Sequence, residues 1–172
     1  MASERPLEPV SSPLRILAID CATPLASAAL LQGVRIVAER EAAGGQHAET
    51  LLGLVDGVLE ASGVRIEDVE AFAVSKGPGA FTSLRVGLAT IKGLAFGSER
   101  PVAGISTLEA LAWEVTEQMQ TELPVAVLLD ARREQCYAGA YERRGDGLNT
   151  VFAAGVYPAA ELGTQLPELC HV

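Results

Sequence analysis

The chain has 172 residues, 49% of them apolar and 20% charged, with a net charge of −9 and a sequence pI near 4.7. That length and apolar content supply one ordinary domain or two small lobes, and the acidic balance excludes a chain that grips a nucleic-acid backbone unaided, because such a grip needs clustered Lys and Arg. Three widely spaced cysteines, Cys21, Cys136 and Cys170, fit free thiols in a reducing compartment, so a cytoplasmic location is expected, and no apolar stretch reaches the length of a membrane span.

Residues 1–13 carry Pro and Ser where a signal peptide needs an apolar core and read as a disordered tail. Arg15 to Asp20 reads as a buried strand ending on a carboxylate. Thr23-Pro24 turns it into a second apolar strand, Leu25 to Leu31, and Gln32-Gly33 makes a hairpin into an alternating strand, Val34 to Arg40, which Gly44-Gly45 breaks. A helix follows from His47 to about Ser62, ended by Gly63. Its apolar residues Leu51, Leu52, Leu54, Val55, Val58, Leu59 and Ala61 cover about half the circumference, wider than one sheet contact requires. Gly53 and Gly57, one turn apart, add a groove for the close approach of another helix.

The strand Glu70 to Ser75 leads into Gly77-Pro78-Gly79 and a helix that Thr82 or Ser83 can cap and Gly97 can end. Leu84, Leu88, Ile91 and Ala95 form the face expected on the sheet; Val86, Ala89 and Gly93 lie opposite, flanked by Arg85 and Lys92. Gly87 and Gly93 inside this helix each cost about 1 kcal/mol against alanine, so a close neighbour is expected, with a second helix as the visitor. A short strand, Val102 to Ile105, precedes a helix capped by Ser106 and reaching about Met119. Strands Val125 to Asp130, Gln135 to Glu142 and Asn149 to Val156 follow, the last two joined by a hairpin over Arg143 to Gly147. The order βββαβαβ points to an α/β, ribonuclease-H-like first lobe over residues 14–100, with a shortened second lobe over 101–172. In such sheets ligands collect at strand C-termini.

The chemistry is sparse. A strand, a Gly-Pro-Gly turn and a helix N-terminus fit a phosphate-cradling loop, but they also fit a tight βα turn that binds nothing, and no Lys-Ser/Thr follows as in a P-loop. Asp20, Thr23, Gly77, Gly79 and Asp130 are the candidate nucleotide or anion loop; for Asp20, and more so for Asp130, a solvated cap or turn carboxylate is the commoner case. Arg132-Arg133 can grip an anion or a partner carboxylate, or simply form a solvated turn. His47 has no second histidine one turn on, Cys21 and Cys136 have no base near them in sequence, and no G-x-S-x-G elbow occurs, so neither a metal site nor a catalytic residue is assigned.

Taken together, Ile16-Leu-Ala-Ile-Asp-Cys-Ala-Thr23, Gln46-His-Ala-Glu-Thr-Leu-Leu52, Lys76-Gly-Pro-Gly-Ala-Phe-Thr-Ser-Leu-Arg-Val-Gly87, Gly93-Leu-Ala-Phe-Gly97, Ile105-Ser-Thr-Leu-Glu-Ala-Leu111 and Leu129-Asp-Ala-Arg132 resemble the TsaB family of bacterial tRNA threonylcarbamoyladenosine biosynthesis proteins. The match covers most of the chain from Arg15 to Tyr141. Each motif alone is weak, and the combination is specific. The family usually has Thr where Cys21 stands and often Gly where Ser83 stands, and its members continue further through the second lobe.

The resemblance implies the actin-like ATPase superfamily fold and an accessory role in placing a threonylcarbamoyl group on the adenosine beside the tRNA anticodon. The implied partners are a TsaD-like catalytic subunit, a TsaE-like ATPase and, when alone, a second copy of the chain; tRNA is reached only indirectly. In TsaD a His-x-x-x-His metal pair starts the helix after the lobe boundary, and the matching positions here are Thr107 and Leu111, neither a metal ligand in this setting. The implied partner surface is the pair of helices after the meander and after the Gly-Pro-Gly loop, with Leu51, Leu52, Gly53, Val55, Gly57, Val86, Ala89 and Gly93 as its candidate residues. No tightly bound cofactor is expected, with ATP or ADP as the candidate ligand at the partner interface. An older glycoprotease, peptidase M22, label attaches to the family; a metal pair or nucleophile triad for it cannot be assembled here. The alternative reading is an independent small-molecule kinase or ATPase using Asp20 and the loop from Gly77 to Gly79, with a peptidase third.

Overall fold

The computed structural model describes residues 13–43 and 47–166. The tail expected over 1–13, Pro13 apart, the Gly44-Gly45 break and the last residues of the second lobe lie outside the described residues. In chain order the elements are β1 (Arg15–Asp20), β2 (Leu25–Gln32), β3 (Arg35–Ala43), α1 (His47–Ser62), a 3₁₀ turn (Ile66–Asp68), β4 (Ala71–Gly77), α2 (Phe81–Ser98), β5 (Val102–Ser106), α3 (Thr107–Met119), β6 (Val125–Arg132), β7 (Gln135–Arg144), β8 (Gly147–Pro158) and α4 (Ala159–Gln165). They build a five-stranded sheet in the order β3-β2-β1-β4-β5 and a three-stranded sheet β6-β7-β8. The first three strands pair antiparallel, while β4 joins β1, and β5 joins β4, in parallel. This is the ribonuclease-H-like layer expected from the element order.

Strand alternation decides which side of the first sheet is buried. Leu17, Ile19, Ala28, Leu30, Phe72 and Val74 point to one face, where Leu51, Val55 and Val58 of α1 and Ile91 and Ala95 of α2 close over them. Fully burying a side chain such as Leu17 or Phe72 contributes about 1.5–3 kcal/mol. The opposite face carries smaller residues, Ala18, Asp20, Ser27, Ala29, Ala73 and Ser75, and is met by α3. α3 is shared: its Leu108 and Ala112 join Val125, Val127 and Tyr141 in a second core, while Thr107, Leu111 and Glu114 look toward the first sheet. An ion pair between Glu117 and Arg143, with the Arg143 guanidinium 5.0 Å over the Trp113 ring, fastens α3 to β7.

Several expectations need correction. β5 hydrogen-bonds to β4, so Val102–Ser106 belongs to the first sheet and the passage between lobes falls at α3, past the expected boundary at residue 100. The N-cap of α2 is Ala80, which has no capping side chain, because the loop is held instead by the Ala80 N–H donating to the Ala22 carbonyl at 2.8 Å. Gly97 does not end α2, which closes one residue later with Glu99 in the left-handed conformation. The neighbour of Gly87 is the sheet and not a second helix: a Cβ there would sit 3.5 Å from Cys21 Sγ and 3.8 Å from Val74, an ordinary contact that does not demand glycine. Val34 sits in the hairpin turn, fully exposed, and β3 begins at Arg35.

Candidate functional site

α1 and α2 lie on the same side of the first sheet, and their expected surface residues divide into three groups: buried, partly covered and exposed. Leu51 and Val55, 0% and 3% exposed, belong to the chain's own core and brace the surface from beneath. They are not contact residues: an α-helix places i and i+4 on one stripe, and here that stripe faces the strands. Gly57 is partly covered by Arg40 of β3, whose Cγ would lie 3.8 Å from an added Cβ. Val86 is half-buried. Leu52 is 50% exposed, and Gly53, Ala89 and Gly93 are exposed, the two glycines with nothing within 4 Å of where a Cβ would stand.

Sequence reasoning missed two aromatic residues. Phe96 is 91% exposed and lies on the stripe of Ala89 and Gly93, at i+7 and i+3. Phe81 is 68% exposed, with the Arg85 guanidinium 3.8 Å over its ring. The signal was present, since 3.6-residue periodicity places Phe96 opposite Ile91, but an aromatic side chain is usually assigned to a core. A large apolar side chain this exposed, beside small residues that let another backbone approach, is the composition of a docking surface.

The second candidate, the anion loop, is split by the fold. Thr23, Gly79 and Asp130 line a cleft of about 760 Å³ between the lobes, together with Pro24, Arg132 and Tyr137. Asp20 lines a different hollow on the outer face of the first sheet, and Thr23 borders both. Gly77 lines neither; its φ of +101° and the Leu84 Cδ1 atom 3.2 Å from a Cβ position make glycine necessary for the turn itself. Gly79 is required for space: a Cβ there would drive into the Ala22 carbonyl, with Ala22 C and Cβ 2.9 Å away. The Gly-Pro-Gly segment is thus packed directly onto the β1–β2 connection.

Each lobe opens with the same local device. Asp20 Oδ1 accepts from the Ala22 N–H at 3.2 Å, and Asp130 Oδ1 accepts from the Arg132 N–H at 2.7 Å. Both are Asx turns, in which one carboxylate oxygen shapes the strand exit and the other has no partner among the described residues. Beyond Asp130, the backbone of Arg132, Arg133 and Glu134 has φ values of 66°, 52° and 61°, a conformation that glycine or asparagine normally fills, and this tight hairpin places Arg132 on the lining of the cleft. Cys21, at the end of β1, is buried, and burial together with the Asp20 charge pushes its thiol up to about 11. It is therefore protonated at neutral pH and unsuited to nucleophilic attack. The side chain of His47 and the whole of Cys170 and His171 lie outside the described residues.

The relatives of this chain agree with that architecture. The family described as "TsaD: tRNA N6-adenosine threonylcarbamoyltransferase" matches residues 37–169. The "tRNA threonylcarbamoyladenosine biosynthesis protein TsaB" of Escherichia coli strain K12 is 36% identical over 135 residues, covering 78% of this chain and 58% of the relative, so the chain spans a little over half the length of that protein. Among solved structures, YeaZ from Pseudomonas aeruginosa superposes with a TM-score of 0.78 at 34% identity, over 84% of this chain and 67% of the other. Component A of the (R)-2-hydroxyglutaryl-CoA dehydratase of Acidaminococcus fermentans, at 15% identity and a TM-score of 0.53, shares the fold alone. Sheet order, helix placement and these matches together show that the chain belongs to the TsaB/TsaD family of tRNA threonylcarbamoyladenosine biosynthesis proteins and resembles its TsaB members.

Proposed function

We infer that the chain is a non-catalytic accessory subunit, acting in the cytoplasm, in the threonylcarbamoylation of the adenosine beside the tRNA anticodon. It works by docking its α1–α2 face on a TsaD-like catalytic subunit, or on a second copy of itself when that subunit is absent. The observation that carries this reading is the surface of Leu52, Gly53, Ala89, Gly93 and Phe96, exposed on two helices whose inner stripes are fixed in the core. Small residues admit a partner helix to close range, and Phe96 offers a large apolar anchor. A net charge of −9 agrees with tRNA being held by the partner. A TsaE-like ATPase and ATP or ADP at the subunit interface complete the proposed assembly. Of the anion-loop residues, Thr23, Gly79 and Asp130 border the cleft that such a nucleotide would face.

The test is calorimetric titration of the chain with the TsaD-like subunit of the same organism. Ala89→Arg and Leu52→Asp each place a charge in the contact and are expected to weaken association at least tenfold, while the circular dichroism of the free chain stays unchanged. Association unaffected by both substitutions would remove the α1–α2 face from the account.

A further inference from the structure

A hollow lies on the outer face of the first sheet, opposite the face that α1 and α2 cover. Its floor is set by the sequence. On the inner face the central strands carry Leu17, Ile19, Leu30, Phe72 and Val74, but at alternating positions on the outer face they carry Ala18, Ala29 and Ala73, with Ser27 and Ser75 among them. Ile105 of β5 and the α3 stripe Thr107, Leu111 and Glu114 complete the walls around about 310 Å³. Alanines where branched side chains would fill the space leave room for a molecule of about ten heavy atoms.

The lining is mainly apolar, and two hydroxyls supply polar points within it. Thr107 is 4% exposed and its Oγ1 has no hydrogen-bond partner among the described residues, a costly state for a buried hydroxyl. Ser75, 8% exposed, accepts one long bond from the Cys21 N–H at 3.4 Å, and its own proton has no acceptor among the described residues. The charged groups that line the hollow are Asp20 and Glu114, both acidic. Asp20 uses Oδ1 in its turn, which leaves Oδ2 for a ligand.

We propose that this hollow binds a small organic cation, a primary amine with a short apolar body, its ammonium on Asp20, its chain over Ala18, Ala29 and Ala73, and a polar atom on Thr107. A lining with two carboxylates and no cation opposes phosphate and carboxylate ligands and favours an ammonium group. The site differs from the interlobe cleft in charge and in position, and it stands whether or not α1 and α2 dock on a partner.

The experiment is NMR titration of the full chain, followed at the methyl groups of Ala18, Ala29, Ala73 and Thr107, with 4-hydroxybutylammonium, whose hydroxyl supplies the polar atom for Thr107, and with 4-hydroxybutyrate as the anionic control. Saturable shifts with 4-hydroxybutylammonium, none with 4-hydroxybutyrate, and affinity lowered at least fivefold by Asp20→Asn and by Thr107→Val are expected. Asp146→Asn, at an exposed turn, should leave the affinity unchanged. Thr107→Val also removes the unpartnered hydroxyl, so it should raise the melting temperature while weakening the amine, which separates a lost contact from a lost fold. Equal shifts from 4-hydroxybutyrate, no saturation by about 50 mM 4-hydroxybutylammonium, or unaltered affinity in Asp20→Asn would overturn the proposal.

Discussion

Substituting alanine at two glycines of this chain should change its stability in opposite directions. At Gly79 a Cβ would collide with the Ala22 carbonyl and lie 2.9 Å from Ala22 C and Cβ, and none of these atoms can swing aside. Relief requires the Gly-Pro-Gly segment to move off the β1–β2 connection, which breaks the 2.8 Å bond from the Ala80 N–H to the Ala22 carbonyl. Overpacking costs about 1–3 kcal/mol and the lost bond about 1 kcal/mol, so Gly79→Ala should destabilise the chain by about 2–4 kcal/mol. At Gly93, in the middle of α2, an added Cβ meets nothing within 4 Å. There the substitution only removes the flexibility of glycine from a helix and should stabilise by about 0.5–1 kcal/mol. In urea denaturation, with a slope of about 2 kcal/mol/M, the midpoint should fall by about 1–2 M for Gly79→Ala and rise by about 0.3–0.5 M for Gly93→Ala. A Gly79→Ala variant within about 0.5 kcal/mol of the parent would refute the close packing of the Gly-Pro-Gly segment on the β1–β2 connection.

Other expectations follow from single groups. Thr107→Val should stabilise the chain by about 1 kcal/mol, because the hydroxyl it removes is buried without a partner among the described residues; a melting temperature that falls instead would show that the hydroxyl is bonded. The Cys21 thiol, raised to about 11 in the folded chain against 9.0 for a free thiol, loses its proton more readily in the unfolded state. Its contribution is therefore complete below pH 9 and declines as pH rises through 9 to 11, by about 2 kcal/mol. Unfolding measured across that range should show a smaller decline in Cys21→Ala, and equal slopes would contradict the assignment. At pH 7.5 peptide mapping after alkylation should find Cys21 unmodified while the chain is folded. Ala89→Arg, on an exposed helix position, should leave stability within 0.5 kcal/mol of the parent, so that its effect on association reads docking alone.

Much of the first lobe was legible because its elements obey local rules. The apolar run from Leu51 to Ala61 gave α1 its bounds, Gln32-Gly33 gave the hairpin, and Ser106 accepts from the Glu109 N–H at 3.4 Å as an N-cap should. The errors arose where a residue's neighbour is distant in sequence. Nothing local shows that Gly87 meets Cys21, that Gly79 meets the Ala22 carbonyl, or that β5 extends the first sheet. Periodicity made the apolar face of α1 look too wide, but it could not tell which half of it β2 and β3 would cover; thus Leu51 and Val55 fell in the core and Leu52 remained outside. The candidate anion loop grouped residues at strand ends, yet alternation along β1 sends Asp20 to the outer face, away from Asp130 across the interlobe cleft.

The most direct test of the docking account is reconstituted threonylcarbamoylation of tRNA, with the TsaD-like subunit and its ATPase held constant and this chain added as parent or as Ala89→Arg. The account predicts modification that requires the parent chain and falls at least tenfold with the variant. Full modification without the chain, or undiminished modification with Ala89→Arg, would contradict it.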